Sequence, residues 1–369
     1  MEPVNVTWMA DDFGPASMTV LKLPSGCRGM VAIDDTSLGP AAGGVRMSSE
    51  VTASDVSRLA RAMTLKNAIS GLPFGGGKAG ILVPQDFPAE RKEPVIRAFA
   101  CAIRDLRDYI PGPDMGTDET AMAWIHDETG RAVGLPAVLG GLALDEIGAT
   151  GYGLAACAQA LAAAGKFDLA GARVAVQGFG SVGRAAACFL QGLGARVVAV
   201  SDRSGAITDP AGLDVNALAL AKKQGRPLAM TPDAQHISGD ELLTLTCEVL
   251  VPAAQPDVIH DGNADRVLAK VVLPGANIAV TESAELTLHK RGILCMPDFL
   301  ANAGGVICAW AEYRGSDKTQ ALSTIDGRIR ANSAELLDRM RLSDGTPRHA
   351  ANAMAWQRLA AARELKRKF

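Results

Sequence analysis

Three charged side chains in the first half of the chain stand in settings where they could take part in chemistry. Lys66 lies late in an apolar predicted helix, Lys78 follows three glycines, and Asp114 precedes another predicted helix. A lysine acts as a base near neutral pH only if burial or a neighbouring positive charge lowers its pKa. Taken singly, each residue also has an ordinary structural explanation, since a lysine near a helix end reaches water and an aspartate before a helix caps it.

A glycine-rich turn in the second half has the spacing of a dinucleotide-binding site. The turn reads Gly-x-Gly-x-x-Gly and consists of Gly178, Phe179, Gly180, Ser181, Val182 and Gly183. It follows a predicted strand, Arg173–Gln177, and opens a predicted helix, Ser181–Leu193, which is the context that this fingerprint requires. Glycines there let the backbone approach a pyrophosphate, which the helix N-terminus attracts.

The end of the next predicted strand bears on which dinucleotide is bound. Asp202 ends this strand, Arg196–Ser201, at the place where a carboxylate binds the ribose hydroxyls. Because a carboxylate repels a 2′-phosphate, the sequence predicts NAD as the cofactor. Arg203 beside it is able to bind that phosphate, so NADP is the weaker alternative.

Composition excludes several other classes of protein. Of the 369 residues 48% are hydrophobic, and the net charge of -3 gives no basic surface for nucleic acid. The first residues lack a basic region followed by an apolar stretch, so we expect no signal peptide, and no apolar run approaches membrane-spanning length. The seven cysteines form no Cys-x-x-Cys pair and the five histidines show no zinc spacing, so we expect free thiols, no metal and a cytoplasmic protein.

The predicted elements change in character near residue 140. Before it we predict strands at Met18–Leu23, Gly29–Ile33 and Ala79–Val83, and helices at Ala53–Ser70, at Ala89–Tyr109 and from Asp118. The glycines at 140–141 and 148–153 indicate a hinge. Beyond it strands and helices alternate, with further strands at Val249–Val251, Val271–Leu273 and Ile293–Met296, and this alternation is typical of a parallel sheet covered by helices on both faces.

The predicted fold class is α/β, with two domains around a cleft. Residues 1–143 form the substrate-binding and catalytic domain, and residues 144–325 form a Rossmann-type NAD-binding domain. The C-terminal helices, 326–369, return to the first domain. Closure of such a cleft would assemble the site and exclude water.

Several segments, in chain order, resemble the glutamate/leucine/phenylalanine/valine dehydrogenase superfamily. The resemblance runs from about residue 18 to residue 310, and it rests on Leu38–Arg46, Met63–Lys66, Leu72–Lys78, Pro113–Thr117, Ala149–Gly153, Gly178–Gly183, Gly275–Asn277 and Pro297–Val306. It implies reversible oxidative deamination of an L-amino acid to the 2-oxo acid and ammonia, with a nicotinamide cofactor, in a homo-oligomer.

The resemblance also implies roles for individual residues. Lys66 would bind the substrate α-carboxylate, Lys78 would be the general base, and Asp114 would relay protons at the substrate nitrogen. The cofactor site would comprise the glycine-rich turn, Asp202 and Arg203, and in addition Thr150, Ala253 and Asn277. The substrate site would comprise Lys66, Ala42, Gly43, Gly112, Asn277, Asn302, Val306 and Ala309.

Two departures from the glutamate branch bear on the substrate. That branch has a lysine where this chain has Ala42 and a serine where it has Ala309, and both bind the distal carboxylate. A buried carboxylate without partners is very costly, so we expect a bulky apolar, phenylalanine-like amino acid. Against this, Ala149–Gly151 look more like the glutamate branch.

Three alternatives stay open. The protein could be a glutamate dehydrogenase in which another residue, with Arg46 the nearest candidate, binds the distal carboxylate. It could be a non-catalytic NAD-binding regulatory protein, although Lys66, Lys78 and Asp114 are all present. A hydroxy-acid dehydrogenase is the third, but it would need a catalytic histidine paired with a carboxylate, and the histidines stand in ordinary helix or loop contexts.

Overall fold

The computed structural model describes residues 13–232, 234–342 and 345–366, and the chain separates into two compact α/β units. The first unit comprises the described residues up to 143, residues 309–321, and those from 354 onward. The second comprises residues 144–308 and 322–353. The C-terminal segment is therefore divided between the units, whereas the sequence analysis placed all of 326–369 in the first domain.

The first unit is built on a five-stranded mixed sheet with the order β1-β2-β4-β3-β5. β1 and β2 pair antiparallel, as do β2 and β4, while β3 runs parallel to both β4 and β5. The elements are β1 Ser17–Lys22, β2 Arg28–Asp35, β3 Ala41–Ser48, α1 Ala53–Ile69, β4 Gly75–Leu82, α2 Lys92–Ala102, β5 Tyr109–Pro113 and α3 Glu119–Thr129.

Helices cover both faces of this sheet. α1 begins at a capping box between Thr52 and Asp55, which satisfies backbone groups at the helix start. Its apolar side, with Val56 and Ala60, packs on a small core that includes Met30 and Ala32 of β2. The other face carries the larger core, formed with α2 and α3 by residues such as Val45, Ile81, Phe99 and Met122.

The second unit is a Rossmann-type domain with a seven-stranded sheet in the order β12-β11-β10-β6-β7-β8-β9. The first five strands in that order are parallel, and β8 and β9 pair antiparallel. The elements are α4 Ala149–Ala163, β6 Arg173–Gln177, α5 Ser181–Gly192, β7 Arg196–Asp202, β8 Gly205–Thr208, α6 Val215–Lys223, β9 Gln235–Ile237, α7 Gly239–Leu243, β10 Val249–Pro252, β11 Val271–Val272, α8 Glu282–Lys290, β12 Leu294–Cys295 and α9 Asp298–Ala301.

Three helices complete the chain: α10 Gly304–Tyr313, α11 Lys318–Arg341 and α12 Pro347–Glu364. Each has residues in both units. In the part of the chain that the structure describes, no helix is long and apolar enough to cross a membrane. The predicted cytoplasmic location remains a prediction.

The local structure differs from the predicted elements at three places. Of the two glycine segments expected to form a hinge, 148–153 forms the N-cap and the first turn of α4, and its glycines let α4 pack closely on α5: a Cβ at Gly151 would lie 2.4 Å from the backbone nitrogen of Ala186. The helix expected at Ala89–Tyr109 ends at Ala102, and Tyr109 begins β5. Strand β3 has no counterpart in the predicted elements, since alanine and glycine predict a strand poorly.

Candidate active site

Lys78 and Asp114 form a buried ion pair in the first unit. Lys78 lies on β4 and is 7% exposed, and Asp114 follows the end of β5. The Nζ atom of Lys78 contacts Oδ2 of Asp114. Gly44 of β3 lies between them, since a Cβ there would come within 2.8 Å of the Asp114 Cβ and 3.2 Å of the Lys78 Nζ. A side chain at position 44 would therefore displace the pair.

A hydrogen-bonded turn fixes the Asp114 carboxylate. Its Oδ1 accepts a hydrogen bond from the Met115 backbone amide at 2.7 Å. The Asp114 amide donates to Oγ1 of Thr117 at 3.0 Å, and that hydroxyl lies 2.8 Å from the Val45 carbonyl, to which it donates. Thr117 is not among the predicted site residues, and its position three residues after the aspartate is the signal that could have identified it.

The ionisation of both groups departs from ordinary values. Burial lowers the pKa of Lys78, the Asp114 carboxylate opposes this by raising it, and the Arg46 guanidinium adds to the lowering. Burial acts to raise the pKa of Asp114, but the charge and hydrogen bond of Lys78, the Met115 amide and the Arg46 charge together outweigh burial, so this pKa is lowered. The pair thus combines an ionised carboxylate with an amine that loses its proton more readily than ordinary lysines do.

Arg46 extends this cluster along β3. Its Nε lies 3.6 Å from Oδ2 of Asp114, and this Nε is buried without a hydrogen-bond partner. Alternation along the strand places Ala42, Gly44 and Arg46 on the same side of β3. A buried donor without an acceptor is costly, which makes Arg46 suitable for an anionic ligand.

The other predicted substrate residues of the first unit lie on the neighbouring strands and helices. Ala42 is 6% exposed and pairs with Ile110 of β5. Two residues further along β3, Gly44 pairs with Gly112. The Gly43 carbonyl accepts a hydrogen bond from the Tyr109 hydroxyl at 2.8 Å. Lys66 is half-buried on α1, and Ala309 is half-buried on α10.

The glycine-rich turn of the second unit joins β6 to α5 at the point where strand order reverses, since β7 lies on one side of β6 and β10 on the other. Gly178 has a φ of +95°, which favours glycine, and a Cβ at Gly183 would lie 2.0 Å from the Gly178 carbonyl oxygen. At Gly180, by contrast, a Cβ would meet nothing within 4 Å.

These features fit a dinucleotide. α5 begins at Ser181, and its N-cap residue, Gly180, provides no side-chain acceptor for the first amides of the helix. A pyrophosphate is the natural acceptor at such a helix start. Phe179 is fully buried, so it can serve the turn only through its backbone, while Ser181 is exposed.

The predicted cofactor residues Ala253, Asp202 and Arg203 lie on other segments of the second unit. Gly275 is tightly enclosed, because a Cβ there would lie 2.9 Å from Ala253 and 3.1 Å from Val182. Asp202 ends β7 and accepts hydrogen bonds from the Ser204 amide, at 2.8 Å, and from Lys222. Burial acts to raise the pKa of Asp202, but these hydrogen bonds outweigh it and the pKa is lowered. Arg203 is exposed.

The two predicted asparagines are hydrogen-bonded to each other. Nδ2 of Asn302 donates to Oδ1 of Asn277 at 3.0 Å. Thr150 of α4 lies against the start of α10, since a Cβ at Gly305 would come within 3.1 Å of its Oγ1. Val306 is half-buried on α10. Within the described ranges, no group of three or more histidine, cysteine, aspartate or glutamate residues is placed to hold a metal ion.

Comparison with known proteins identifies the class. Residues 140–367 match the family model of the Glutamate/Leucine/Phenylalanine/Valine dehydrogenases, and residues 18–131 match that of the Glu/Leu/Phe/Val dehydrogenase dimerisation domain. With its α/β fold and Rossmann-type domain, the protein is a nicotinamide-dependent amino-acid dehydrogenase that acts on a CH–NH2 group. The chain belongs to the Glu/Leu/Phe/Val dehydrogenase family.

Individual relatives agree with this assignment. The chain is 39% identical over 295 residues to the NADP-specific glutamate dehydrogenase of Saccharolobus shibatae, covering 76% of this chain and 69% of the relative. It is 38% identical over 356 residues to the NAD-specific glutamate dehydrogenase A of Halobacterium salinarum, covering 91% and 81%. Its fold matches the hetero-hexameric glutamate dehydrogenase of Thermus thermophilus in the Leu bound form, with a TM-score of 0.83 and 31% identity over 96% of this chain and 90% of that one.

Proposed function

We propose that the protein catalyses the reversible oxidative deamination of L-glutamate to 2-oxoglutarate and ammonia. The observation that carries the chemistry is the buried contact between Lys78 and Asp114, in which a lysine of lowered pKa stands beside a carboxylate. Such a pair can take a proton from one atom and deliver it to another at neutral pH.

The proposed roles follow from the charges of the side chains. Lys66, as an ammonium ion, binds the α-carboxylate of the amino acid. The nicotinamide ring, when bound, supplies the two-electron acceptor for the α-carbon. Neutral Lys78 removes a proton from the water that attacks the resulting imine carbon. Asp114 exchanges protons with the substrate nitrogen, so that ammonia becomes the leaving group. Asn277, Asn302 and Thr150 orient the reacting groups.

Glutamate is supported by the names of the relatives, each of which is a glutamate dehydrogenase at 31–39% identity. Its side-chain carboxylate needs a cationic partner in the site. Arg46 is suited to this, because its buried Nε has no acceptor and it lies two residues beyond Gly44 on the same side of β3.

A bulky apolar amino acid is the second candidate. The observation that favours it is the methyl group of Ala42, buried on the strand that carries Gly44, together with that of Ala309. An apolar wall without a hydrogen-bond donor suits an apolar side chain and disfavours a carboxylate. Gly112, which is buried, and Val306 add no polar group.

The double variant Ala42→Lys with Ala309→Ser tests which side-chain chemistry the site prefers. Because a charge-assisted contact contributes about 1.5–3 kcal/mol, kcat/KM for glutamate relative to phenylalanine should rise about tenfold or more. The wild-type ratio separates the two candidates, since glutamate should be the better substrate. A melting curve controls for misfolding. An unchanged ratio in a folded double variant would mean that these positions do not contact the substrate side chain.

For the cofactor we propose NAD. Asp202 supports this, because a carboxylate at the end of β7 binds ribose hydroxyls and repels a 2′-phosphate. Lys222, which contacts Asp202, and exposed Arg203 reduce that repulsion. Titration of the protein with NADH and NADPH, followed by cofactor fluorescence, measures the preference; tighter binding of NADPH would overturn the proposal.

We also propose a homo-oligomer. The match of residues 18–131 to a dimerisation domain supports it, as does β1, an edge strand whose Val20 is 41% exposed. An unpaired strand edge is a ready surface for pairing with another chain. Light scattering on the purified protein gives the mass that decides this.

A further inference from the structure

A buried ionic cluster in the second unit lies behind the two asparagines of the site. Arg348, at the start of α12, donates from Nε and Nη2 to the two carboxylate oxygens of Glu285 at 2.6 and 2.7 Å. Its Nη2 also donates to Oδ1 of Asp298 at 2.7 Å. Glu285 is 4% exposed and Asp298 6%. A single guanidinium therefore holds carboxylates from α8 and α9.

Asp298 also contacts the segment that carries Asn277. Its second carboxylate oxygen, Oδ2, accepts a hydrogen bond from the backbone amide of Ile278 at 2.9 Å. Ile278 has a φ of +54°, which is an unfavourable conformation for a β-branched residue. Its carbonyl accepts a hydrogen bond from the Asp257 amide at 2.8 Å. The strained residue after Asn277 is thus held from both sides.

Asn302 follows the short helix α9 that begins at Asp298. The backbone carbonyl of Asp298 accepts a hydrogen bond from the Asn302 amide at 2.8 Å. The Asn302 side chain then reaches Asn277, with Nδ2 donating to Oδ1 at 3.0 Å. Asp298 therefore holds the residue that follows Asn277 through its side chain, and the short helix α9 that begins at Asp298 places Asn302 through its i→i+4 backbone bond. Strain at a non-glycine residue persists only where the surroundings over-determine it, and it concentrates at functional sites.

We infer that Arg348 is a positioning residue for the reaction: by holding Asp298 it fixes the geometry of the Asn277–Asn302 pair. The inference rests on the proposed function, since it takes these asparagines to orient the reacting groups. Without the guanidinium, two buried carboxylates would face each other, and Asp298 would turn away from the Ile278 amide. Arg348 itself touches neither substrate nor cofactor in this account.

The variant Arg348→Met keeps side-chain length and removes the charge. We expect kcat to fall by about tenfold or more, because the interaction lost acts on the reacting geometry. Binding of NADH, measured by fluorescence, should change by less than about threefold, since the turn at Gly178–Gly183 keeps its own contacts. Arg348→Lys, which restores the charge but not the paired geometry, should recover part of the loss in kcat.

Arg173→Met is the matched control. Arg173 makes a two-point ion pair with Glu248 in the same unit, with contacts of 3.0 and 3.1 Å, at the opposite end of β6 from the glycine-rich turn. It should lower the melting temperature and leave kcat within about twofold of wild type. If Arg348→Met lowered the melting temperature in the same way and left kcat unchanged, Arg348 would be merely structural and the inference would be overturned.

A second variant covers misfolding of the first. Asp298→Asn replaces one acceptor oxygen by a donor, so the side chain cannot satisfy both the Ile278 amide and Arg348. It should also reduce kcat with little effect on NADH binding, and an unchanged kcat would overturn the inference. A wild-type protein that oxidises no amino acid would refute the proposed function, whereas equal turnover by wild type and both variants would refute only the role of Arg348.

Discussion

At the residue scale, the central feature is that Lys78 and Asp114 shift each other's ionisation. Burial and the Arg46 charge favour the neutral amine, while Asp114 favours the ammonium ion, and the balance is a lowered lysine pKa. This is the condition under which a lysine serves as a base near neutral pH. The same contact lowers the pKa of Asp114 and keeps its carboxylate ionised.

The variant Lys78→Met removes the proposed base while keeping most of the side-chain volume. We expect kcat to fall by about 10²–10⁴, the contribution typical of a positioned acid–base group. The affinity for NADH, measured by fluorescence, should be nearly unchanged. Lys66→Ala should act differently and mainly raise KM for the amino acid, because it removes a binding contact. Wild-type steady-state kinetics in both variants would show that neither lysine has the role proposed.

The pH dependence of kcat/KM tests whether the pKa of Lys78 is lowered as described. The active free enzyme has neutral Lys78 and ionised Asp114, so kcat/KM should rise as pH increases through the lowered pKa of Lys78. Asp114 stays ionised throughout, because its own pKa is lowered. Arg46→Met removes a positive charge that lowers the pKa of Lys78, and the rise should therefore move to higher pH. A shift to lower pH in this variant would contradict the assignment.

At the element scale, the segment before residue 143 is fixed by one side chain of α10. Glu312 is 8% exposed, and its carboxylate accepts hydrogen bonds from the backbone amides of Gly134 and Leu135, at 2.7 and 3.0 Å, and of Leu142, at 2.9 Å. Buried amides need acceptors, and a charged acceptor is stronger than a neutral one. The segment between α3 and the end of the first unit thus depends on a residue far along the chain.

Glu312→Ala should therefore destabilise the protein. Three amides lose a charged acceptor, so we expect the free energy of unfolding to fall by about 2–4 kcal/mol, measured by urea denaturation. Asp338→Ala is the control, since it breaks an exposed pair with Arg341 and should cost less than about 1 kcal/mol. Equal stabilities of the two variants would mean that the Glu312 contacts contribute little.

The elements also show which features a sequence can predict. The strand, turn and helix at Arg173–Gly192 follow from local signals, namely a β-rich run and a glycine spacing with a known backbone requirement. Strand β3 and helix α4 do not, because alanine and glycine have weak or misleading propensities and close packing decides their conformation. The ion pair of Arg46 with Asp114 and that of Arg348 with Asp298 join distant segments that no local pattern connects.

At the scale of the whole molecule, the residues proposed to act in the reaction are divided between the two units. The first contains Lys78 and Asp114, and the second contains the glycine-rich turn and the paired asparagines. An amino-acid dehydrogenase needs both sets of groups. The family match of residues 18–131 lies within the first unit, whereas the match of residues 140–367 covers the second unit and also residues 309–321 of the first.

The most direct test of the central claim is an assay of cofactor reduction by the intact wild-type protein with a panel of L-amino acids, with ammonia measured in parallel. We predict that glutamate supports NAD reduction with one ammonia released for each NADH formed, as the reaction requires, and that Lys78→Met lowers both rates together by about 10²–10⁴. If no amino acid in the panel reduced NAD or NADP, or if NADH formed without ammonia, the account of this protein as an oxidative deaminase would be contradicted.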